Sequence, residues 1–530
     1  MDRKPNPRPG GIITLITALT LRETSWMNSA GHGLNAVYAE RNYAWKLLLP
    51  LIPERPVLAA GLDGPGLVSL GRSWRTVRAV NSPEGALEWA KGQAGPLGLG
   101  CRFEPAGVDE CPYEGYHAIA VGTGNSARLG PEKAWRLLSP GGTVIWAGHH
   151  RQLPGNPQLR ESGYGRVKRY ALIPPGKCKV IVPVSDRMAA ITGLGFYVPG
   201  KPGNRIAYTA GMLAAMAGLQ RYLSKVHLVT AGRPGDMPAG SLLFDWLGER
   251  LGVRVADASM YPGSGSSGRR RATLLAMDAA GHPVAVIKVA DTLPGMDVNK
   301  KEAEVLELLG RDNRFRGIAP GVICSGGWQG HQVLALEYMR PAGCRYVTGL
   351  TSAHTRFLES LSGLDRREAL LHEWTGWRRL LDWSDKNGFK TDDDADAVRQ
   401  TIKRCAGILS GLKLTMHRIH GDFSPWNTFL AGDRLVVFDW EHSEPCGLPF
   451  YDLVHFVIRR KHYIDNEPLS HGELLAATPE SLGVREEVLA LGSAVPQIKD
   501  ARGKDRADIS DALFRLCVLY AAAVKTSVRR

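Results

Sequence analysis

His420-Gly421-Asp422-Phe423-Ser424-Pro425-Trp426-Asn427, followed by Val436-Val437-Phe438-Asp439-Trp440-Glu441, is the stretch on which the reading of this chain turns. Asp422 is a carboxylate able to take a proton from a substrate hydroxyl. Asn427 follows five residues later, close enough in a tight loop to face the same metal. The β-type run Arg434-Leu435-Val436-Val437-Phe438 then delivers Asp439 at its end, where a strand can hold a carboxylate on a hard cation. Phosphoryl transfer requires these parts: a base that orients the nucleophile, oxygen ligands for a cation, and a cation bridging phosphates. A buried histidine turn followed by an ordinary core strand would explain each piece singly, but not the set in this order and spacing.

On these residues the second half of the chain resembles the aminoglycoside phosphotransferase and choline kinase family, a branch of the protein-kinase-like fold. The resemblance implies Asp422 as catalytic base, Asn427 and Asp439 as Mg²⁺ ligands, and His420 as support for the loop. It also gives a place to three upstream features. Gly263, Gly265 and Gly268 spell G-x-G-x-x-G between two expected strands, a turn that lets backbone N–H groups approach phosphate. Taken alone, that turn reads equally well as a flexible hairpin. Lys288 stands in the apolar run Val284 to Val289, where an uncompensated ammonium is costly. Glu302, with Glu304 as the alternative, matches the glutamate that pairs with such a lysine. Val333 to Met339 resembles the hinge strand that meets adenine, and Asp452 a position that supports the catalytic loop. The implied cofactors are ATP and Mg²⁺. The implied acceptor is a hydroxyl of a sugar, an amino alcohol or an aminoglycoside-like metabolite. The acidic run Asp392, Asp393, Asp394 and Asp396 is either an acidic pocket for an amine or a solvated helix start, the latter being the plainer reading.

Length and composition set the outer bounds. At 530 residues the chain exceeds one ordinary domain. A hydrophobic share of 44% and a charged share of 22% are those of a globular protein with ample core. The net charge of +14 favours anionic partners in general, such as a nucleotide or phosphorylated compound. No arginine-rich arm interleaved with aromatics is present, so nucleic acid is not expected. The eight cysteines form no C-x-x-C pair, which leaves reduced thiols and a cytoplasmic setting as the expectation. No apolar run reaches the ~18 residues of a transmembrane helix.

The first half alternates short apolar runs with helical patterns, which predicts a doubly wound α/β sheet. Strands are expected at Val57–Gly61, Thr76–Val80, Tyr116–Val121, Thr143–Ala147, Val167–Ile173, Lys179–Val184 and His227–Ala231. Helices are expected at Asn35–Leu49, Glu84–Gly92, Pro131–Leu138 and Ile206–Leu223. On Trp135-Arg136-Leu137-Leu138-Ser139-Pro140-Gly141-Gly142-Thr143-Val144, this half resembles the class I S-adenosylmethionine-dependent methyltransferase fold. It departs from that family where the ligand would sit. Ala59 or Ala60 occupies the usual acidic position, Gly61, Gly64 and Gly66 replace the usual glycine spacing, Asn81 stands where a carboxylate would hold the ribose, and Gly122-Thr123-Gly124 where an acid is common. An amide holds a ribose diol less strongly than a carboxylate. S-adenosylmethionine is therefore a doubtful cofactor, and a degenerate domain the stronger expectation.

The expected fold class is an α/β N-terminal Rossmann-like methyltransferase-type domain, residues 1–235, plus an α+β bilobal protein-kinase-like domain, residues 241–530. The latter divides into an N-lobe of about 241–340 and a C-lobe of about 341–530. The expected activity is ATP- and Mg²⁺-dependent phosphoryl transfer to a small-molecule hydroxyl. A bifunctional methyltransferase–kinase and a non-catalytic kinase-like scaffold are the rivals.

Overall fold

The computed structural model describes residues 43–122, 129–173, 180–196, 202–262, 270–340, 347–386, 392–493 and 506–527. The chain forms two compact units, Met1–Asn299 with Ile323–Tyr338, and Lys300–Val322 with Met339–Arg530.

The first unit is built on one sheet. Its strands are β1 (Val57–Ala60), β2 (Thr76–Val80), β3 (Arg102–Pro105), β4 (Tyr116–Val121), β5 (Leu138–His149), β6 (Arg166–Ile173), β7 (Val180–Pro183), β8 (Val226–Gly232), β9 (Asp257–Pro262), β10 (Arg271–Met277), β11 (Pro283–Ala290), β12 (Val322–Trp328) and β13 (His331–Glu337). They lie in the order β12-β13-β11-β10-β9-β7-β6-β8-β5-β4-β1-β2-β3. The run β3-β2-β1-β4-β5 is parallel throughout. β8 then runs antiparallel between β5 and β6. All four residues of β1 are buried, as a central parallel strand covered on both faces demands. The helix Gly64–Gly71 follows β1, capped by Asp63, whose Oδ1 accepts from Gly66 N at 2.9 Å. This is the Rossmann-like methyltransferase-type architecture.

β9, β10, β11 and β13 form an antiparallel ladder, the strand layer of a kinase-like N-lobe. β7 pairs with β9 through Ile181 and Met260, so the two architectures share one continuous sheet of 13 strands. The sheet runs across the boundary expected at 235–241. One hydrophobic core also crosses it, with Trp45, Val57 and Leu228 joined to Met260, Ile287 and Val333. Gly193 explains how a helix sits so close to β9: a Cβ there would overlap Ser259 Oγ.

Buried polar groups tie the same join. Tyr170 on β6 donates to Asp257 Oδ1 on β9 at 2.9 Å. Lys46, fully buried in the turn Tyr43–Leu48, approaches Asp291 Oδ2 at 2.9 Å, and Arg270 reaches the same oxygen at 2.6 Å. Burial pushes Lys46 down to about 8, while the two cations hold Asp291 below the usual carboxylate range against its own burial. Such a cluster is costly to assemble in a dry interior and more costly to break.

The second unit carries β14 (Arg367–Ala369), β15 (Leu414–Ile419), β16 (Thr428–Ala431), β17 (Arg434–Val437) and β18 (Glu444–Gly447). β14-β15-β18 form one small sheet and β16-β17 a hairpin. The remainder is largely helical, including Ser352–Leu361, Thr375–Lys386, Asp392–Leu409, Tyr451–Arg460 and Arg506–Ser527. Tyr520 on the last of these packs edge-on against Trp374, with ring centroids 4.7 Å apart. Among the described residues no helix is long and apolar enough to cross a membrane.

Several elements differ from the expectation. β3 was not anticipated, because Arg-Phe-Glu-Pro is short, half-polar and ends in proline. β5 is longer than Thr143–Ala147 and absorbs the Ser139–Gly142 turn, with Gly141 at φ +80°. Of Asn35–Leu49, the described part is a 3₁₀ turn at Tyr43–Leu48. The expected helix at Ile206–Leu223 is found as Pro202–Met216 and ends before Gly218, at φ +76°.

Candidate active site

His420 to Asn427 lie between β15 and β16. All six residues of β15 are buried, which fixes where the loop begins. Gly421 then takes φ +84°, and a Cβ there would overlap the His442 carbonyl oxygen, so only glycine fits. The two N–H groups at this turn are met by one carboxylate. His420 N donates to Asp452 Oδ2 at 2.7 Å and Gly421 N to Asp452 Oδ1 at 3.0 Å. Burial pushes Asp452 up to about 7, opposed by those two donors. Asp452 thus has the supporting position expected for it.

His420 is fully buried. Its Nδ1 accepts from Asp422 N at 3.2 Å and its Nε2 donates to Phe438 O at 3.2 Å. One neutral tautomer, protonated on Nε2, satisfies both bonds. The ring therefore ties the loop to the strand that leads to Asp439.

Asp422 and Asn427 are brought together directly. Asn427 Nδ2 donates to Asp422 O at 2.9 Å and to Asp422 Oδ2 at 3.0 Å. Burial first, and the Asp439 charge second, push the Asp422 carboxyl up to about 6, with Arg459, His442 and the Asn427 bond opposing. Its Oδ1 faces His455 Nε2 at 3.6 Å and Arg459 Nη2 at 3.9 Å. His455 donates from Nδ1 to Phe423 O at 3.0 Å and accepts at Nε2 from Arg459 Nε at 3.1 Å. Burial and the Arg459 charge drive this imidazole down to about 3, so it stays neutral and the positive charge beside Asp422 belongs to Arg459.

Asp439 follows β17. Thr428 lies opposite Val437 in the hairpin, and Phe438 N donates to Asn427 O at 3.1 Å, so Asn427 and Asp439 stand at its adjoining ends. Asp439 takes φ +71°, a left-handed conformation uncommon outside glycine. Glu302, on the helix Leu293–Gly310, accepts from Trp440 N at 3.1 Å. Carboxylate oxygens of Glu302, Asp439 and Glu441 lie within 4.8 Å of one another. An all-oxygen donor set of this kind suits a hard cation such as Mg²⁺. Asn427, its amide nitrogen committed to Asp422, has its Oδ1 as the atom to offer alongside them.

Lys288 is in the first unit, on β11 between Thr273 of β10 and Leu334 of β13, and is largely buried. Ala285, Ile287 and Val289 enter the core, so alternation puts Lys288 on the opposite face of the sheet. Asn299 Nδ2 bonds to Lys288 O at 3.1 Å and Gln332 O at 3.0 Å, pinning the backbone at that position. Glu302, Asp422, Asn427 and Asp439 belong to the second unit. Gly263, Gly265 and Gly268 lie outside the described residues.

Sequence reasoning did not single out Glu441, His455 or Arg459. Glu441 was visible as the last residue of Phe-Asp-Trp-Glu. His455 and Arg459 fall three and seven residues after Asp452, on one face of the helix Tyr451–Arg460.

Residues 327–480 match the model of a family described as "Phosphotransferase enzyme family". The match contains Asp422, Asn427 and Asp439 and leaves Lys288 and Glu302 outside. The second half thus carries a phosphotransferase-family domain, as its resemblance implied. No curated protein matches the chain. Among solved structures, the streptomycin–ATP–APH(2")-IIa ternary complex is similar at 15% identity and TM-score 0.30, covering 52% of this chain and 96% of that one. A choline/ethanolamine kinase family protein from Mesorhizobium loti is similar at 17% identity and TM-score 0.27, covering 49% and 91%. A SAM-dependent methyltransferase from Thermotoga maritima is similar at 12% identity and TM-score 0.22, covering 42% and 99%. Scores of this size carry no argument about activity.

Proposed function

We propose that the chain is an ATP- and Mg²⁺-dependent phosphotransferase that transfers the γ-phosphate to an alcohol hydroxyl of a small molecule. The observation that carries this reading is the state of Asp422. It is a partly buried carboxylate, fixed at Oδ2 by Asn427, with Oδ1 left toward Arg459 and the Asp439 charge nearby. A base held in one orientation, with a pKa near the working pH, is what hydroxyl activation requires.

In this reading Asp422 orients the acceptor hydroxyl and takes its proton on Oδ1. Asn427 keeps the carboxylate from rotating. Asp452 and His420 hold the loop that carries it. Lys288, its backbone pinned by Asn299, binds donor phosphate together with the turn at Gly263, Gly265 and Gly268. Asp439 and Asn427 hold the metal, with Glu302 and Glu441 adjacent; Glu302 was expected to orient Lys288, and its position beside Asp439 supports a share in the cation site. A hard cation held there would supply positive charge to stabilise the transferring phosphoryl group and would offset the Asp439 charge that raises Asp422.

The first half serves, in this proposal, as a degenerate methyltransferase-type domain that extends the N-lobe sheet. Asn81, at φ +50°, and the close approach of Gly122 to the Gly61 carbonyl support that view over methylation. Thermal unfolding of the full chain with Mg·ATP, with S-adenosylhomocysteine and with neither tests both parts. A ligand that binds only the folded state at a hundredfold over Kd adds about 2.7 kcal/mol. A shift with Mg·ATP alone is expected. A shift with S-adenosylhomocysteine would restore the bifunctional enzyme, and none with Mg·ATP would favour the scaffold.

A further inference from the structure

Beside Asp422 the second unit presents a surface that the proposed chemistry does not use. Trp426 and Tyr463 meet edge to face, with ring centroids 5.4 Å apart. Both are exposed, 38% and 44%, in a unit whose other large aromatics are mostly buried. The Arg459 guanidinium stands 5.8 Å from the Tyr463 ring, and its Nη2 is 3.9 Å from Asp422 Oδ1. The three side chains therefore form a continuous path from the base carboxylate across a cation to an aromatic pair.

Two further facts mark this path as a binding surface. Tyr463 sits in a single turn of π-helix, Lys461–Asp465, directly after the helix Tyr451–Arg460. Such turns cost hydrogen-bond geometry and recur where a side chain must be re-aimed for function. The hydrogen bond of the Arg459 guanidinium is the one from Nε to His455, and among the described residues neither of its Nη groups is in another. A partly buried guanidinium whose Nη donors are in no other hydrogen bond among the described residues, beside the carboxylate of Asp422, is suited to a planar anion.

Charge on this side is positive. Arg459, Arg460 and Lys461 follow one another; Arg459 faces Asp422 Oδ1 at 3.9 Å and Arg460 meets Asp465 at 3.2 Å. The carboxylates that meet this run are Asp422 and Asp465, while Glu302, Asp439 and Glu441 are the group a cation would occupy. The acidic run weighed above as an amine pocket starts the helix Asp392–Leu409, where Asp396 is exposed and pairs with its own Arg399 at 2.5 Å.

We propose that the acceptor is a hydroxylated ring compound bearing a carboxylate or a phosphate, its ring on Trp426 and Tyr463 and its anion on Arg459, not a polycationic amine. This rests on the phosphotransferase reading and narrows it. The test measures kcat/KM of the full chain with Mg·ATP against three matched sets: sugar and aryl acids, sugar phosphates, and their neutral parents, with kanamycin as the polycation. At least one anionic set should exceed its neutral parents by tenfold or more, with kanamycin lowest; which set wins separates carboxylate from phosphate. Arg459→Gln should raise KM for the winning set by tenfold or more while changing kcat less, Arg459→Lys should restore part of it, and Tyr463→Ala should raise KM for charged and neutral rings alike. Preference for kanamycin or for neutral compounds overturns the proposal, as does failure of every anionic compound to react. The wild-type ranking alone decides, so no variant has to fold. Loss of the phosphotransferase reading itself would appear separately, as absence of the Mg·ATP shift in unfolding.

Discussion

Two loops in this protein leave a buried strand and turn on glycine, and they end in opposite states. After β1, Gly61 takes φ +66°, a Cβ at Gly64 would overlap the Trp89 ring, and Asp63 gives its oxygen to the helix it caps. After β15, Gly421 is equally constrained, yet the loop's own carboxylate, Asp422, is not used for capping. Asp452, His420 and Asn427 do the holding, and the Asn427 amide takes only Oδ2 of Asp422. A glycine turn at a strand end reports close approach of backbone. The supply of supporting side chains from elsewhere is what separates a reactive loop from a packed one.

The largest expected effect comes from removing the carboxylate that the second loop protects. Asp422→Ala should lower turnover by about 10²–10⁴-fold. Near-normal turnover would erase the distinction between the two loops. Next in size is Asp291→Ala, which leaves Lys46 and Arg270 buried without that carboxylate. It should cost about 3–5 kcal/mol in denaturant unfolding. A cost below about 1 kcal/mol would mean that the cluster contributes little to the join between β7 and β9.

A smaller effect has a defined pH window. Asp422 and Asp452 have folded values near 6 and 7, above the ordinary carboxylate value. The folded state then binds more protons than the unfolded state between those limits, so stability falls as pH rises through the window and the whole cost is present above it. Asp422→Asn should therefore be more stable than the wild type at pH 8, by about 1–3 kcal/mol, and equal to it near pH 3.5. Equal stability at both would mean that Asp422 is not held against its own ionisation. Catalysis should rise with pH through about 6 as Asp422 ionises. The smallest change is Asp63→Ala, a lost N-cap worth about 0.5–2 kcal/mol with no effect on phosphoryl transfer.

Much of this was legible in the chain. The proximity of Asp422, Asn427 and Asp439 could be read because their spacing is local. The parallel strands β1, β2 and β4 announced themselves as short apolar runs between turn residues. Lys46 was not legible: in Tyr-Ala-Trp-Lys-Leu-Leu it reads as a solvated lysine, and its partner Asp291 is 245 residues away. β3 was lost to its polar alternation. The meeting of Ile181 with Met260 was out of reach as well, since pairing between strand edges depends on register set by the whole fold. Arg459 and Tyr463 carry no signature beyond a four-residue spacing.

That meeting has a consequence for how the protein is made. Ile181 leaves the ribosome roughly 80 residues before Met260, the partner that pairs with it. At about 5–20 residues per second, β7 waits on the order of 4–16 s as an open edge, with β8, which joins β6 to β5, also made within that interval. An edge of that kind recruits other nascent chains unless it is shielded. Ribosome-associated chaperones, or a pause in synthesis after Met260, would act on this interval.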